Sequence, residues 1–439
     1  MKTVKFFTLG CKVNQYDTQF IREQFLRSGF KEVNNGWSAD VYVINTCTVT
    51  HKADRDSLSL IRKAKRENPK GEIIVTGCLT ELDSEKIKKI NLESVIIKNN
   101  EKPRILERLF SSDIQSSNGS DMQTVNIISY FAGHSRAFLK IQDGCNNFCS
   151  YCKVPLVRSV LYSKPIEEVV KEAQSLVRSG YREIVICGIC LGLYGKGSVS
   201  SVELVDVIER LENIDGLYRL RLSSIEPQHL TDRLIEKVAH SKKICRHLHI
   251  PLQSGDDGIL KKMNRKYTSQ DYRNLITKLK GCIPQIAITT DVMVGFPGET
   301  PQAFENTINL VKEILPLRVH VFTYSKRPGT LAAGFNQSLN QKELKERILY
   351  LRKIAQSCSF KFKKQFLGKE MEVLLEGDCK AHPEFLEGLT DNYIKVLVKD
   401  SSASKGQIIK VRLNQIWQDY VLAEANYTTT STSEMRDES

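Results

Sequence analysis

No stretch of this chain approaches the roughly 20 consecutive apolar residues that a bilayer-spanning helix needs. The start, Met1-Lys-Thr-Val-Lys-Phe-Phe-Thr-Leu-Gly, lacks the longer apolar region and small-residue cleavage site of a secretory signal. A cytoplasmic protein with no membrane partner is the resulting expectation. Twelve cysteines among 439 residues are too sparse for a disulfide framework. In a reducing compartment such cysteines bind metal or lie buried. No internal repeat is visible, which excludes a solenoid. Acids are the scarcer charge, 51 against 64 Lys and Arg, leaving a net +13. That excess favours a polyanionic partner, because basic side chains gain by releasing counterions from phosphates. Solubility alone is the plainer explanation of the same charge.

Among the cysteines, Cys145, Cys149 and Cys152 form a C-x3-C-x2-C triad in Ile141-Gln-Asp-Gly-Cys-Asn-Asn-Phe-Cys-Ser-Tyr-Cys152. A four-iron cluster normally takes four cysteines, so three leave one iron open to a small molecule. Reductive cleavage of S-adenosylmethionine needs such an open iron. Zinc is the competing assignment, but it prefers four closed protein ligands. No fourth ligand stands nearby at zinc spacing.

The chain reads as α/β. Within residues 1–125, Val4–Leu9, Val41–Ile44 and Ile73–Val75 are buried-strand runs, each followed by a turn and a helical pattern. This βα repeat predicts a parallel sheet covered by helices. The polar stretch 111–121 reads as a linker. Residues 134–364 resume the alternation, with strands over Ala137–Ile141, Glu183–Ile186, Tyr218–Leu222, His247–Leu252, Ile286–Val294 and Arg318–Phe322. Pro165–Arg178 and Thr300–Ile314 are helical between them. Six βα units imply a partial (β/α)6 barrel of TIM type, with its chemistry at the C-terminal strand ends. Leu344, Ile348, Leu351 and Ala355 mark a closing amphipathic helix. Residues 365–427 turn all-β, with strands over Asn392–Val398 and Gly406–Leu413 and a turn at Asp391-Asn392. They predict a small barrel of a size typical of nucleic-acid binding. The tail 428–439 is polar and expected to be disordered.

Three further cysteines occupy equivalent places. Cys11, Cys47 and Cys78 each lie just past a predicted parallel strand. Sheet geometry brings such ends to one edge, the usual binding crevice of an open α/β sheet. Convergence on a second cluster is expected, against the alternative of three small buried hydrophobes.

Together these segments resemble the radical S-adenosylmethionine methylthiotransferases over nearly the whole chain. The likeness rests on Thr8-Leu-Gly-Cys11-Lys-Val-Asn-Gln-Tyr, Asn45-Thr-Cys47-Thr-Val-Thr, Thr76-Gly-Cys78 and the central triad with Tyr151. It extends to Ser223-Ser-Ile-Glu-Pro227, His247-Leu-His-Ile-Pro-Leu-Gln-Ser-Gly255 and Asp291-Val-Met-Val-Gly-Phe-Pro-Gly-Glu299. Lys12-Val13 and Thr48-Val-Thr50 point to the branch acting on threonylcarbamoyladenosine in tRNA. The resemblance implies a methylthiotransferase domain with an auxiliary cluster, a radical SAM core and a TRAM barrel that grips tRNA. It implies two 4Fe–4S clusters and S-adenosylmethionine as cofactors. Cys145, Cys149 and Cys152 would hold the cleaving cluster; Cys11, Cys47 and Cys78 would hold the auxiliary one. The expected product is the 2-methylthio derivative of N6-threonylcarbamoyladenosine beside the anticodon. An electron donor and a sulfur source are further expected partners of a monomer. Rival expectations are isopentenyladenosine in tRNA, a ribosomal-protein aspartate, and a non-catalytic iron–sulfur RNA-binding protein.

Gly188, Glu226, Gln253, Ser254, Asp291 and Gly295 are candidate cofactor contacts, being at strand ends or in a glycine loop. For each, capping or turn geometry competes equally. Arg158, Lys361, Lys363 and Lys364 are candidate RNA contacts, against a solvated helix end for the lysines. Cys187 and Cys190 are expected to be an incidental pair. His247 and His249 are expected to serve packing or hydrogen bonding rather than metal ligation. After Cys152 the family usually carries an arginine-rich Ile-Ile-Pro-Tyr-Ala-Arg-Gly-Arg-like run. Here Pro155 and Arg158 persist, Ser159 replaces the glycine, and the following positions are largely apolar. A serine there matters if the backbone needs positive φ.

Overall fold

The computed structural model describes residues 1–34, 36–110, 127–196, 202–336, 339–399 and 403–425. The expected linker at 111–121 and tail at 428–439 lie outside the described residues.

Strands β1 (Thr3–Thr8), β2 (Lys31–Glu32), β3 (Val41–Thr46), β4 (Glu72–Gly77) and β5 (Val95–Ile96) form one parallel sheet, ordered β2-β1-β3-β4-β5. The central strand β3 is buried along its whole length. Its residues alternate between two helix-covered cores: Tyr42 and Ile44 enter one, Val41 and Val43 the other. This is why the run reads as continuously apolar. Each such side chain contributes about 1.5–3 kcal/mol by leaving water. Helices Lys12–Arg27, His51–Glu67 and Cys78–Leu82 begin directly after β1, β3 and β4.

The second region has six parallel strands: β6 (Ala137–Asp143), β8 (Glu183–Gly188), β9 (Arg219–Leu222), β10 (His247–His249), β11 (Ala287–Val294) and β12 (Arg318–Thr323). A two-residue β7 (Tyr162–Ser163) runs antiparallel on the β6 edge. The strands divide into β7-β6-β8-β9 and β10-β11-β12. Isolated bridges at Leu220–Ile244 and Ser224–His249 join the two groups. β10 stops three residues short of the predicted end. Pro251 cannot donate a ladder bond, and Gln253 turns the chain at φ 63. The outer helices are capped by side chains: Thr300 accepts from the Ala303 N–H at 3.1 Å, with Pro301 at the first helical position. Helix Gln341–Lys364 closes the region.

The first region docks on this barrel through helix Lys12–Arg27. Val13 and Tyr16 belong to the barrel's own apolar core. The Tyr16 hydroxyl donates to Glu172 at 2.7 Å.

The third region is a closed barrel of β13 (Glu370–Asp378), β14 (Leu386–Thr390), β15 (Lys395–Val398), β16 (Ile408–Trp417) and β17 (Tyr420–Ala425). β15 starts later than predicted because Asp391–Tyr393 is a turn, with Tyr393 at φ 68. β14 and β17 escape prediction: one is short and holds Gly388, the other holds helix-favouring Ala423, Glu424 and Ala425. Barrel closure overrides those local preferences. Arg221 donates to the Asp391 carbonyl at 2.9 Å and Thr390 carbonyl at 3.1 Å, and His247 stacks on Tyr393 at 4.2 Å. These contacts place the small barrel at the N-terminal ends of β9 and β10, away from the strand ends that carry the cysteines. Among the described residues no helix is long and apolar enough to cross a membrane.

Candidate functional site

The loop after β6 carries Cys145, Cys149 and Cys152. Its root is narrow. Gly144 has φ 80, and a Cβ there would meet the Val160 carbonyl oxygen at 2.1 Å. The Gln142 amide donates to the carbonyls of Asp143 and Gly144, each at 2.8 Å, and its oxygen accepts the Cys190 N–H at 2.8 Å. Farther along, Ser150 N–H donates to the Met263 carbonyl at 3.0 Å, and Ala332 N–H to the Ser150 carbonyl at 2.7 Å. Tyr151 packs edge-on against Phe296. The three sulfurs therefore stand on a loop pinned at both ends.

Donors surround these sulfurs. Arg265 Nη1 lies 3.3 Å from Cys149 Sγ, and the Val154 N–H 3.4 Å from Cys152 Sγ. A hydrogen bond from the Cys190 thiol is the main reason the Cys145 thiol falls to about 7. Burial raises the thiols of Cys149 and Cys152, the latter to about 12, and each is raised further by its neighbours' charge. Held as thiolates, the three would repel one another, and a cationic group between them offsets that repulsion. At zinc–sulfur bonds of about 2.3 Å, ligand sulfurs lie at most about 4.6 Å apart. Among the described residues neither cysteine triad closes within 4.8 Å; a His249, Asp291 and His320 group does. An all-sulfur set of three, without a fourth protein ligand among the described residues, fits an iron–sulfur cluster with one open iron rather than a closed zinc site.

The second triad forms as the parallel sheet demands. Cys11 N-caps helix Lys12–Arg27 and is exposed; Cys47 follows β3; Cys78 opens helix Cys78–Leu82. Asn14 Nδ2 donates to the carbonyls of Leu9 at 2.8 Å and Thr46 at 2.9 Å, tying two of the three turns together. Gly10 permits the approach: a Cβ there would sit 3.0 Å from Cys47 Sγ. Burial pushes the Cys47 thiol to about 11 and raises that of Cys78, and the three charges act on one another. They too fit an iron–sulfur cluster.

Arg158 lies between the triads rather than against RNA. It is buried, with Nη1 on both Asp143 oxygens at 2.8 and 2.6 Å, and Nη2 on Asn14 at 2.9 Å and Asp17 at 3.0 Å. Its positive charge partly offsets the rise that burial gives the Cys78 thiol. Burial alone would raise the Asp17 carboxyl, but Lys102, Lys140 and Arg158 outweigh it and hold it well below its ordinary range. Nη1 and Nη2 are thus committed to side chains of the protein, and Arg158 is buried rather than presented at the surface as the sequence suggests for an RNA contact. Ser159 does not adopt positive φ, so serine in place of the family's glycine creates no backbone strain.

The remaining candidates separate. Glu226 is paired with Arg265, and burial still raises its carboxyl despite that partner. Gln253 exchanges backbone bonds with β11. Ser254 is buried, its hydroxyl 3.3 Å from that of Thr307 and accepting the Asp256 N–H at 3.2 Å. Gly295 has φ 78, and a Cβ there would meet Leu344 at 2.7 Å. Gly188 lies against Gln142, the residue that pins the triad loop. Asp291 stands 3.3 Å from His249. Lys363 is buried and donates to the Asp419 carbonyl at 2.8 Å, which removes it from the RNA-contact set; Lys361 and Lys364 are exposed. Cys187 lies in the barrel core whereas Cys190 turns to Cys145, so they do not act as one pair.

Arg265 and Arg327 escaped the sequence reading. Arg327 reaches from the loop after β12 to the Thr48 carbonyl at 2.9 Å and Asp54 at 2.6 Å, clamping the turn beside Cys47. Neither arginine sits in a spacing pattern that would betray it.

A pinned three-cysteine loop at the C-terminal face of a partial β/α barrel defines a radical S-adenosylmethionine enzyme. Residues 139–311 match the Radical SAM superfamily, and residues 3–98 match the uncharacterized protein family UPF0004. The chain is 39% identical over 94% of its length, and 94% of the relative's, to the threonylcarbamoyladenosine tRNA methylthiotransferase MtaB of Bacillus subtilis. It is 35% identical to the tRNA-2-methylthio-N(6)-dimethylallyladenosine synthase of Carboxydothermus hydrogenoformans, over 94% of this chain and 97% of that one. The radical S-adenosylmethionine methyltransferase TsrM of Kitasatospora setae shares the fold at TM-score 0.56 and 13% identity, over 75% of this chain and 77% of that one. The chain belongs to the radical SAM tRNA methylthiotransferase family. It is a transferase that uses S-adenosylmethionine and two 4Fe–4S clusters.

Proposed function

We propose that this enzyme converts N6-threonylcarbamoyladenosine, beside the anticodon of tRNA, to its 2-methylthio derivative. The observation that carries the nucleoside is that the two highest of these identities, 39% and 37%, are to relatives named for threonylcarbamoyladenosine, against 35% to the relative named for dimethylallyladenosine. Carbon 2 of adenine bears an unreactive C–H bond, a poor target for acid–base catalysis. When bound, S-adenosylmethionine and the clusters supply the radical, the methyl group and a place for sulfur; the protein supplies binding and orientation.

In this reading Cys145, Cys149 and Cys152 ligate the cleaving cluster, and Cys11, Cys47 and Cys78 the auxiliary one. Arg265 fixes Cys149 and Glu226 together. Glu226, Gln253, Gly188 and Asp291 line the cofactor side of the barrel. The modified base enters unstacked, as single-stranded loop bases can. Lys361 and Lys364 contribute phosphate contacts beside the C-terminal barrel, which binds RNA in the manner of a TRAM domain. The enzyme works as a cytoplasmic monomer, drawing on a separate electron donor and sulfur source.

Nucleoside mass spectrometry of tRNA from cells with and without the gene tests the nucleoside. The expected result is loss of 2-methylthio-N6-threonylcarbamoyladenosine alone. Loss of the dimethylallyl counterpart instead would transfer the assignment to that substrate.

A further inference from the structure

One side-chain group inside the barrel is absorbed by neither triad. His249 on β10, Asp291 on β11 and His320 on β12 bring their ligand atoms within 4.8 Å of one another. The register explains why. Asp291 pairs with His320, and His249 pairs with Thr289, two residues before Asp291. Residues two apart on a strand share a face, so all three side chains project to one side of the sheet. His249 Nε2 is 3.3 Å from Asp291 Oδ2, and the two imidazole centroids are 5.7 Å apart.

A structural ion pair accounts for His249 and Asp291 but not for the approach of His320. Two imidazoles and a carboxylate with open positions are a known donor set for zinc and non-haem iron. With metal–ligand bonds of about 2.0–2.2 Å, ligand atoms lie at most about 4.4 Å apart. The one pair bonded directly, His249 Nε2 and Asp291 Oδ2 at 3.3 Å, already lies inside that limit. The outer shell is also present: Thr289 Oγ1 lies 2.9 Å from His249 Nδ1, which holds the ring with Nε2 towards Asp291. The hydroxyl is itself held by His247 Nε2 at 2.9 Å. The local charge is mixed: Asp291 and Glu226 favour a cation, while Lys12 and Arg318 oppose it. Side chains of His249 and Asp291 keep 17% and 21% exposure, so the group borders open space.

We propose that His249, Asp291 and His320 form a site for one divalent first-row transition-metal ion, of the zinc or iron(II) class, separate from both cysteine triads. Three protein ligands leave coordination positions facing the barrel interior, where oxygen donors of a bound molecule or water complete the shell.

The test uses anaerobically reconstituted protein with both clusters loaded, so that the cysteines are occupied. Titration with Co²⁺ should add one ion per chain, with d–d absorption and no thiolate-to-cobalt charge-transfer band, and Zn²⁺ should displace it. His320→Ala and Asp291→Asn should each weaken binding at least about tenfold. Zn²⁺ should raise the melting temperature of the parent protein and not of His320→Ala. If His320→Ala fails to load its clusters, His320→Gln takes its place in the same titration. The proposal is overturned by no cobalt beyond that held in thiolate coordination, or by undiminished binding in both the histidine and aspartate variants.

Discussion

The two cysteine triads reach similar chemistry by opposite routes. Cys145, Cys149 and Cys152 lie within eight residues on one loop, which Gln142, Met263 and Ala332 pin in place. Cys11, Cys47 and Cys78 are spread over 68 residues and meet only because three parallel strands end together. The first triad needs its loop; the second needs a whole sheet, and its surroundings depend on how that sheet docks. Arg158 and Arg327 hold the docking, one through Asp17 and Asn14, the other through Thr48 and Asp54. A local site thus tolerates change elsewhere in the fold, whereas a topological site is exposed to it.

The largest expected effect breaks the comparison outright. Cys149→Ala should reduce 5′-deoxyadenosine release, measured on reduced and reconstituted protein, to the level without enzyme. Cys47→Ala should retain cleavage while methylthiolated nucleoside disappears. Equal loss of both activities in Cys47→Ala, with iron still bound at the central triad, would mean that the two sites do not divide the labour.

Next comes the docking. Asp17→Asn takes from the buried Lys102 its carboxylate partner and leaves Lys140 and Arg158 with Asp143 alone. Removing one partner of a buried pair costs about 3–5 kcal/mol. Denaturant titration should show a loss of that order, with iron at the second triad lost before iron at the first. The pH dependence carries a definite sign. The folded-state Asp17 carboxyl titrates well below its ordinary value. Its contribution is therefore complete above the unfolded value of about 3.9 and is lost as pH falls through the folded one. The stability gap between parent and Asp17→Asn should be constant near neutrality and shrink only in acid. A gap that shrinks on raising the pH would contradict the ion-pair account.

The smallest effect sharpens the contrast from outside. Lys364→Ala, on an exposed turn of the closing helix, should lower the salt dependence of tRNA binding by about one unit of slope and leave the iron content of both triads unchanged.

Legibility follows the same divide. The longer strands of the first two regions lie close to where apolar runs place them, because strands buried on both faces reveal themselves by composition alone, whereas the two-residue β2, β5 and β7 escape prediction. β14 and β17 were not legible, since only barrel closure makes strands of them. Lys361 and Lys363 are two residues apart on one helix, yet one is exposed and the other is drawn to the Asp419 carbonyl. Arg158 looked like a phosphate contact because the family carries an arginine-rich run at this place; two of its three polar side-chain partners, Asn14 and Asp17, lie more than 140 residues away in sequence. The His249, Asp291 and His320 group was invisible for the same reason: its members meet across three strands and lie up to 71 residues apart.

The chain order alone settled the cysteine spacing of the central triad, the βα alternation, the net positive charge and the resemblance they carry. These are local or compositional properties, and short-range patterns record them. Only the tertiary structure decided which cations face a carboxylate and which face water, that Cys190 rather than Cys187 touches the triad, and that two histidines and an aspartate converge inside the barrel. Hydrogen bonds and ion pairs act over about 3 Å, and distances of that size between remote segments exist only once the sheets have closed.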